Sequence, residues 1–223
     1  VRVGLFIPCY VDQLAPRVGN ATVELLERLG IDVDYPTRQV CCGQPFWTTG
    51  ADAEARRLAA RFAPVFDRYE HIVAPSGSCV ATLRRLAPAE IATRTHELCD
   101  FLASELGIEG VPGRFPHRVG LHRSCHAREA PVRALLRDLE GIELVEPTRA
   151  DECCGFGGVF AVREAAVSGL MGRDRLRDHR SAGVEIITST DVSCLIHLDG
   201  LARRARLPLR LIHVAELLAE ATA

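Results

Sequence analysis

The sequence predicts an α/β protein built of two pseudo-repeated βαβ-type halves, each a mainly parallel sheet flanked by helices. Three observations lead there. Short apolar runs of strand length alternate with longer stretches of helical periodicity, the pattern of parallel βαβ units. The text then repeats itself about 115 residues on: Arg2-Val3-Gly4-Leu5 returns as Arg118-Val119-Gly120-Leu121, and Pro36-Thr37-Arg38 as Pro147-Thr148-Arg149. Finally, eight of the nine cysteines fall in register between the copies: Cys9, Cys41, Cys42 and Cys79 in the first, Cys125, Cys153, Cys154 and Cys194 in the second. The expected division is 1–112 and 113–223, with Gly110-Val111-Pro112-Gly113 as the linker.

In the first half, Val1 to Pro8 reads as a strand. Val18 to Leu29 reads as a helix with Val23, Leu26 and Leu29 on one face, stopped by Gly30. Ile31 to Tyr35 is the next strand, Cys41-Cys42-Gly43 a loop, and Ala51 to Tyr69 a helix. A strand at His71 to Ala74 leads to a helix starting near Ser76. An extended piece at Arg94 to His96 then enters a helix from Glu97 to Leu106. The second half repeats the order, with strands at Arg118 to His122, Glu143 to Glu146, Val184 to Ser189 and Leu209 to His213. Its helices are expected at Pro131 to Leu139, Val162 to His179, Val192 to Arg206 and Val214 to Ala221. The lone cysteine of each half thus stands at the carboxyl end of its first strand, and the later Ser-Cys at the end of another strand entering a helix. That edge of an open α/β sheet is where ligands gather, so one pocket per half is expected.

The 223 residues are 48% hydrophobic and 25% charged, an ordinary soluble globular balance, and the net charge of -2 gives no general attraction to nucleic acid or lipid. No run reaches the roughly eighteen apolar residues of a membrane span, and no basic segment followed by an apolar core opens the chain, so the expected compartment is the cytoplasm. The chain opens on Val1 directly inside a strand pattern, as a sequence lacking a short leading piece would. Every basic residue is Arg; the absence of Lys excludes Schiff-base chemistry.

In a reducing compartment cysteines act as ligands, catalysts or buried packing rather than as disulfides. Four thiolates converging in one pocket repel each other, and a cation offsets that charge. Zinc sites draw ligands from tight paired knuckles, whereas here single ligands lie about 30 to 40 residues apart across an α/β fold, which favours an iron-sulfur cluster. Gly43 and Gly155 follow each adjacent pair, permit positive φ and let backbone N–H groups turn toward sulfur, so they belong to the site. Helix N-termini after Ser76 and Asp191 favour thiolate at Cys79 and Cys194. The ninth cysteine, Cys99, faces Ala215 in the repeat and reads as a small buried apolar residue.

Weaker signals surround the cysteines. His126 and Arg128 follow Cys125, and His197 lies one helical turn after Cys194; each is as well read as a surface or core group as a neighbour of the site. Gly155-Phe156-Gly157-Gly158 starts like a dinucleotide loop, but Phe160 occupies the place of the third glycine.

Cys-Cys-Gly-Phe-Gly-Gly at 153–158, Ser-Cys-His at 124–126 and Asp-Val-Ser-Cys at 191–194 resemble the cysteine-rich CCG domain family. That family includes the cysteine-rich component of heterodisulfide reductase, the glycolate oxidase iron-sulfur subunit and the lactate-utilisation protein A group, and the last is the branch these motifs look most like. The resemblance implies an iron-sulfur electron-transfer subunit, with a 4Fe-4S cluster held in each half by its four cysteines, or zinc in one or both sites. It implies a complex with a ferredoxin-like iron-sulfur subunit and a third lactate-utilisation protein, together oxidising L-lactate or a related 2-hydroxy acid such as glycolate. A catalytic heterodisulfide reductase-like subunit and a zinc-binding scaffold are the alternatives. Family members with the non-cubane cluster carry a fifth cysteine per site, where this chain has Ser76 and Asp191, and Asp191 could contribute oxygen to the second site.

Overall fold

The computed structural model describes residues 1–127 and 130–223. Arg128, singled out in the sequence, lies outside the described residues. The first half begins with β1 (Arg2–Leu5), α1 (Cys9–Leu14), α2 (Pro16–Arg28) and β2 (Asp32–Asp34). It continues through α3 (Gln44–Trp47), α4 (Asp52–Phe66), β3 (His71–Ala74), α5 (Gly77–Leu86), α6 (Ala89–Ala92) and β4 (Thr95–Glu97). Then α7 (Leu98–Asp100) runs into a π-helical turn, Phe101–Glu105. After β5 (Gly113–Arg114), the second half contains β6 (Arg118–Leu121), α8 (Val132–Leu136), β7 (Leu139–Glu140), β8 (Glu143–Val145), α9 (Phe160–Arg163) and α10 (Ala165–Ser181). It closes with β9 (Ile186–Ser189), α11 (Val192–Arg204), β10 (Arg210–His213) and α12 (Val214–Ala221).

The two four-stranded sheets share one order, β2-β1-β3-β4 and β8-β6-β9-β10, and every ladder is parallel. Register carries the repeat down to single residues: Val3 pairs His71 where Val119 pairs Ile186, and Val73 pairs His96 where Thr188 pairs Ile212. In each sheet the first strand lies between the second and third, so the chain leaves β1 and β3, or β6 and β9, on opposite sides of one crevice. Strand residues such as Val3, Leu5, Ile72 and Val73 are buried on both faces, as helices covering a parallel sheet require.

The halves share their largest apolar cluster. It draws Val3, Leu25, Leu26 and Phe101 from one and Val119, Ile186, Leu217 and Leu218 from the other, and α2 packs against α12 across it. The expected linker is not a free connection. Val111 is buried and donates its N–H to Leu135 O at 3.0 Å, and Gly113–Arg114 pairs with Leu139–Glu140 in a small two-stranded sheet. Its glycines and proline read as turn chemistry, but the one apolar residue between them finds the common core. The division into 1–112 and 113–223 is a proposal that rests on the repeat. The helix expected over Val162 to His179 is two, because Glu164 leaves helical geometry with φ -117° and ψ 44° between α9 and α10.

Candidate metal centres

Cys9 starts α1 directly after β1, and Cys79 lies in the first turn of α5 after β3, so the crevice of the first sheet receives one thiol from each side. The adjacent pair arrives on the loop between β2 and α3. Gln39 fixes that loop by accepting the N–H of Ile7 at 2.9 Å and donating to Leu5 O at 2.8 Å. The four sulfurs form a chain of contacts: Cys9 Sγ lies 3.8 Å from Cys41 Sγ, Cys42 Sγ lies 3.3 Å from Cys79 Sγ, and Cys42 in turn hydrogen-bonds Cys41. The second half builds the same chain of contacts from Cys125 through Cys153 and Cys154 to Cys194.

Burial follows the same gradient in both. Cys9 and Cys125 are exposed, Cys41 and Cys153 half-buried, and Cys42, Cys79, Cys154 and Cys194 buried. All nine cysteines are free thiols, and Cys99 sits alone in the shared apolar core.

The bend at each pair depends on its glycine. Gly43 has φ 92° and Gly155 φ 86°, and these turns aim Gly43 N at Cys41 Sγ (3.5 Å), Gly155 N at Cys153 Sγ (3.3 Å) and Phe156 N at Cys154 Sγ (3.5 Å). The quartets are electrostatically frustrated as thiols. Hydrogen bonds from Cys42 and Cys9 pull the Cys41 thiol down to about 2, and those from Cys125 and Cys154 do the same to Cys153. Cys9 and Cys42, and Cys125 and Cys154, are pushed up chiefly by the thiolate beside them. The thiols beside Cys41 and Cys153 thus oppose one another's ionisation. A cation reverses this by stabilising every sulfur as thiolate at once. The chemistry of an all-sulfur donor set, bent by glycine and fed by backbone N–H groups, fits a cluster or a soft metal ion.

The second centre has an addition that the sequence pattern does not announce. His122, fully buried, reaches to within 4.8 Å of both Cys154 and Cys194, and burial followed by the Arg175 charge lowers it to about 4, keeping it neutral. Its one signal is in the repeat: Leu121-His122 matches Leu5-Phe6, so an imidazole replaces a phenyl ring. Arg175, also fully buried, donates to His122 Nδ1 at 3.3 Å, to Arg149 O at 2.6 Å and to Asp178 at 2.9 Å, thereby bracing the loop that carries Cys153.

Of the flanking residues, His126 Nδ1 lies 3.3 Å from Cys125 Sγ, whereas His197 turns to Ser168 O at 3.3 Å and packs its ring near Phe156. Gly157 and Gly158 lead into the single turn of α9 rather than a strand-to-helix phosphate loop. Ser76 caps α5 by accepting Cys79 N at 3.3 Å. Asp191, expected from the sequence as an oxygen neighbour of the second cluster, instead directs both carboxylate oxygens to hydroxyls and to the backbone of Ser78 in the other half. A cleft of about 640 Å³ opens between the halves, lined by Arg84, His96, Glu105, Cys125 and His126 among others. No helix among the described residues is long and apolar enough to cross a membrane.

The pattern of the cysteine-rich domain family, CCG, matches residues 3–84 and 119–199, one match in each half. The chain is 37% identical to "Lactate utilization protein A" of Macrococcus caseolyticus, over 98% of this chain and 96% of that protein. It is 35% identical to the protein of the same name from Bacillus subtilis, over 98% and 99%. Among solved structures, a hypothetical protein from Helicobacter pylori shares the fold at TM-score 0.64 and 9% identity. That match covers all of this chain and 49% of that one.

Proposed function

Because this chain belongs to the cysteine-rich CCG domain family, we propose that it is an iron-sulfur electron-transfer subunit of a complex that oxidises L-lactate, or a related 2-hydroxy acid such as glycolate, to the 2-oxo acid. The observation that carries the reading is the convergence of two equivalent sulfur quartets, Cys9, Cys41, Cys42 and Cys79, and Cys125, Cys153, Cys154 and Cys194. Bound there, 4Fe-4S clusters supply one-electron transfer. Oxidation of a hydroxyl to a ketone releases two electrons and two protons, which two one-electron centres suit.

The chain's own residues set the terms. Cys42, Cys79, Cys154 and Cys194 keep the inner side of each site dry, while Cys9 and Cys125 give each an edge at the surface, where electrons enter and leave. Gly43, Gly155 and the N–H groups they aim hold negative charge on sulfur, and hydrogen bonds to sulfur tune potential. The electrons come from a ferredoxin-like iron-sulfur subunit and a third lactate-utilisation protein, in the cytoplasm, and this subunit is not autonomous as an enzyme. Similarity to proteins named for lactate utilisation supports that assembly.

His122 favours a second reading for the second site alone. A neutral imidazole within reach of Cys154 and Cys194 makes a mixed nitrogen and sulfur donor set, the chemistry of structural zinc. Anaerobic purification followed by iron, acid-labile sulfide and zinc determination, with electron paramagnetic resonance of the reduced sample, tests both. Iron and sulfide in stoichiometric amounts support electron transfer, and zinc in the second half alone supports mixed occupancy. Stoichiometric zinc without sulfide rejects the electron-transfer role.

A further inference from the structure

We propose that His71, His96 and Glu105 form a third centre, a binding site for one divalent first-row metal ion of the zinc class, separate from both cysteine quartets. The three ligand atoms lie within 4.8 Å of one another. His71 Nδ1 stands 3.9 Å from Glu105 Oε2, and His96 Nδ1 stands 3.7 Å from Glu105 Oε1. Charged imidazole–carboxylate pairs close to hydrogen bonds of about 2.7–2.9 Å. These stay open, one carboxylate oxygen facing each ring across a gap close to the roughly 3.4 Å that separates donors sharing a tetrahedral ion with bonds of about 2.0–2.1 Å. His71 Nδ1 is buried and has no hydrogen-bond partner among the described residues.

The repeat supplies the strongest argument. Register equates His71 with Ile186 and His96 with Ile212, and the alignment of α7 with α12 that sets Cys99 against Ala215 equates Glu105 with Ala221. Ile186, Ile212 and Ala221 are all buried in one apolar cluster. A single histidine in place of an isoleucine is an ordinary variation. Here one half replaces three core residues of one cluster by two imidazoles and a carboxylate that face one another. His96 is buried and His71 half-buried, while Glu105 reaches solvent, and holding the two rings there without a partner costs free energy that the sister half avoids.

The surroundings suit a nitrogen and oxygen site. The Phe101 ring lies 5.4 Å from the His71 ring and 6.1 Å from that of His96, walling one side with an apolar surface. Glu105 closes the π-helical turn Phe101–Glu105, an irregularity frequent at functional sites. Burial lowers the His96 pKa, the direction that favours the neutral, ligating ring. His96 and Glu105 also line the cleft of about 640 Å³, which gives the ion a path in and leaves a further coordination position facing solvent. Two imidazoles and one carboxylate without sulfur select borderline divalent ions, whereas the quartets select iron-sulfur clusters and softer ions.

Cobalt(II) is the probe, because thiolate-bound cobalt absorbs intensely in the near ultraviolet while cobalt held by imidazole and carboxylate shows only weak visible bands. Titrated into the full chain, it is expected to fill one site giving visible bands alone, and zinc(II) should displace it. Glu105→Gln should weaken that site by roughly 10–100-fold, at least the loss that follows removal of a supporting group around a metal. The combined His71→Ile, His96→Ile and Glu105→Ala variant copies the packing of the sister half; it should abolish the site while leaving thiolate absorption unchanged. Absence of a sulfur-free cobalt equivalent in the parent, or its persistence in the combined variant, overturns the proposal. Circular dichroism reports whether the combined variant folds, and if it does not, undiminished affinity in Glu105→Gln overturns the proposal alone. Because the combined variant keeps both cysteine quartets, the difference between its cobalt spectrum and the parent's reports the sulfur-free site alone.

Discussion

Asp191 Oδ2 accepts the backbone N–H of Ser78 at 2.8 Å, so a carboxylate at the start of α11 in the second half caps α5 in the first. Asp191 makes no side-chain bond to its own helix backbone. Its remaining capacity goes to hydroxyls: Tyr10 at 2.9 Å, Ser78 at 3.1 Å, Ser193 at 2.9 Å and Ser124 at 3.3 Å. Tyr10 follows Cys9, Ser78 precedes Cys79, Ser124 precedes Cys125 and Ser193 precedes Cys194. One fully buried carboxylate thus touches a residue beside two cysteines of each quartet.

Removing that group should loosen both centres together. Asp191→Ala leaves a buried N–H and several hydroxyls without their acceptor, and each such orphan costs about 1–3 kcal/mol. The expected result is a loss of about 3 kcal/mol or more in urea unfolding, with metal content falling in both halves. Ser193→Ala removes only one donor and should cost about 1 kcal/mol with little change in metal. Loss confined to the second quartet in Asp191→Ala contradicts the bridging role.

The repeat makes the quartets legible, because the cysteines align in sequence whether or not the fold is known. The position of Cys9 and Cys125 after the first strands, and the helices entered through Ser76 and Asp191, follow from the same pattern. His71–Ala74 and Val214–Ala221 have the expected limits because apolar periodicity is strong there and the neighbouring residues are turn formers or caps. Asp191 reads as a neighbour of its own cysteine because local spacing says nothing of a partner 113 residues away in sequence. Arg175 and His122 stay hidden for a related reason: charged and imidazole side chains in amphipathic stretches read as surface, and only tertiary packing buries them. Val111 reads as linker on the strength of its glycine and proline neighbours, whereas its own side chain decides its place.

Gly155→Ala should disable one centre and spare the other. At φ 86° an L-residue is strained by about 1–2 kcal/mol, and a Cβ there would stand 2.7 Å from Met171 Cβ and 2.8 Å from Ser168 O. The loop must move, carrying Cys153 and Cys154 with it. Metal analysis should show the second quartet depleted and the first retained, and Gly43→Ala, facing Ala55 O at 2.8 Å, should give the mirror result. Full occupancy of both centres in either variant contradicts the role given to these turns.

Acid sensitivity should originate partly at His179. The ring is fully buried, neither nitrogen has a hydrogen-bond partner among the described residues, and burial, then the Arg175 charge, lowers it to about 2 from the usual 6.5. The unfolded chain therefore binds a proton below pH 6.5 that the folded chain refuses, so this group's contribution to stability is complete above pH 6.5 and is lost as pH falls from there toward 2. His179→Leu should flatten that fall, with a larger gain over the parent at about pH 5 than the one at about pH 8 that comes from removing two unpartnered nitrogens. Urea midpoints at about those two pH values measure it, and an equal change at both would assign the effect to packing alone.

The sharpest division among the cysteines is between Cys154 and Cys99. Both are buried, so exposure and general reactivity do not separate them. Cys154 hydrogen-bonds Cys153 and Cys194 and receives the N–H of Phe156 at 3.5 Å, whereas Cys99 lies in the shared apolar core opposite Ala215 of the repeat. Cys154→Ser replaces a soft thiolate by a hydroxyl that binds iron or zinc far less readily, and metal in the second half should fall while the first half keeps its own. Cys99→Ala reproduces the sister residue; it should cost about 1–2 kcal/mol for the lost sulfur and leave metal content unchanged. If the two substitutions deplete metal alike, the equivalence of the halves is not what sorts these cysteines, and the assignment of all eight ligands fails with it.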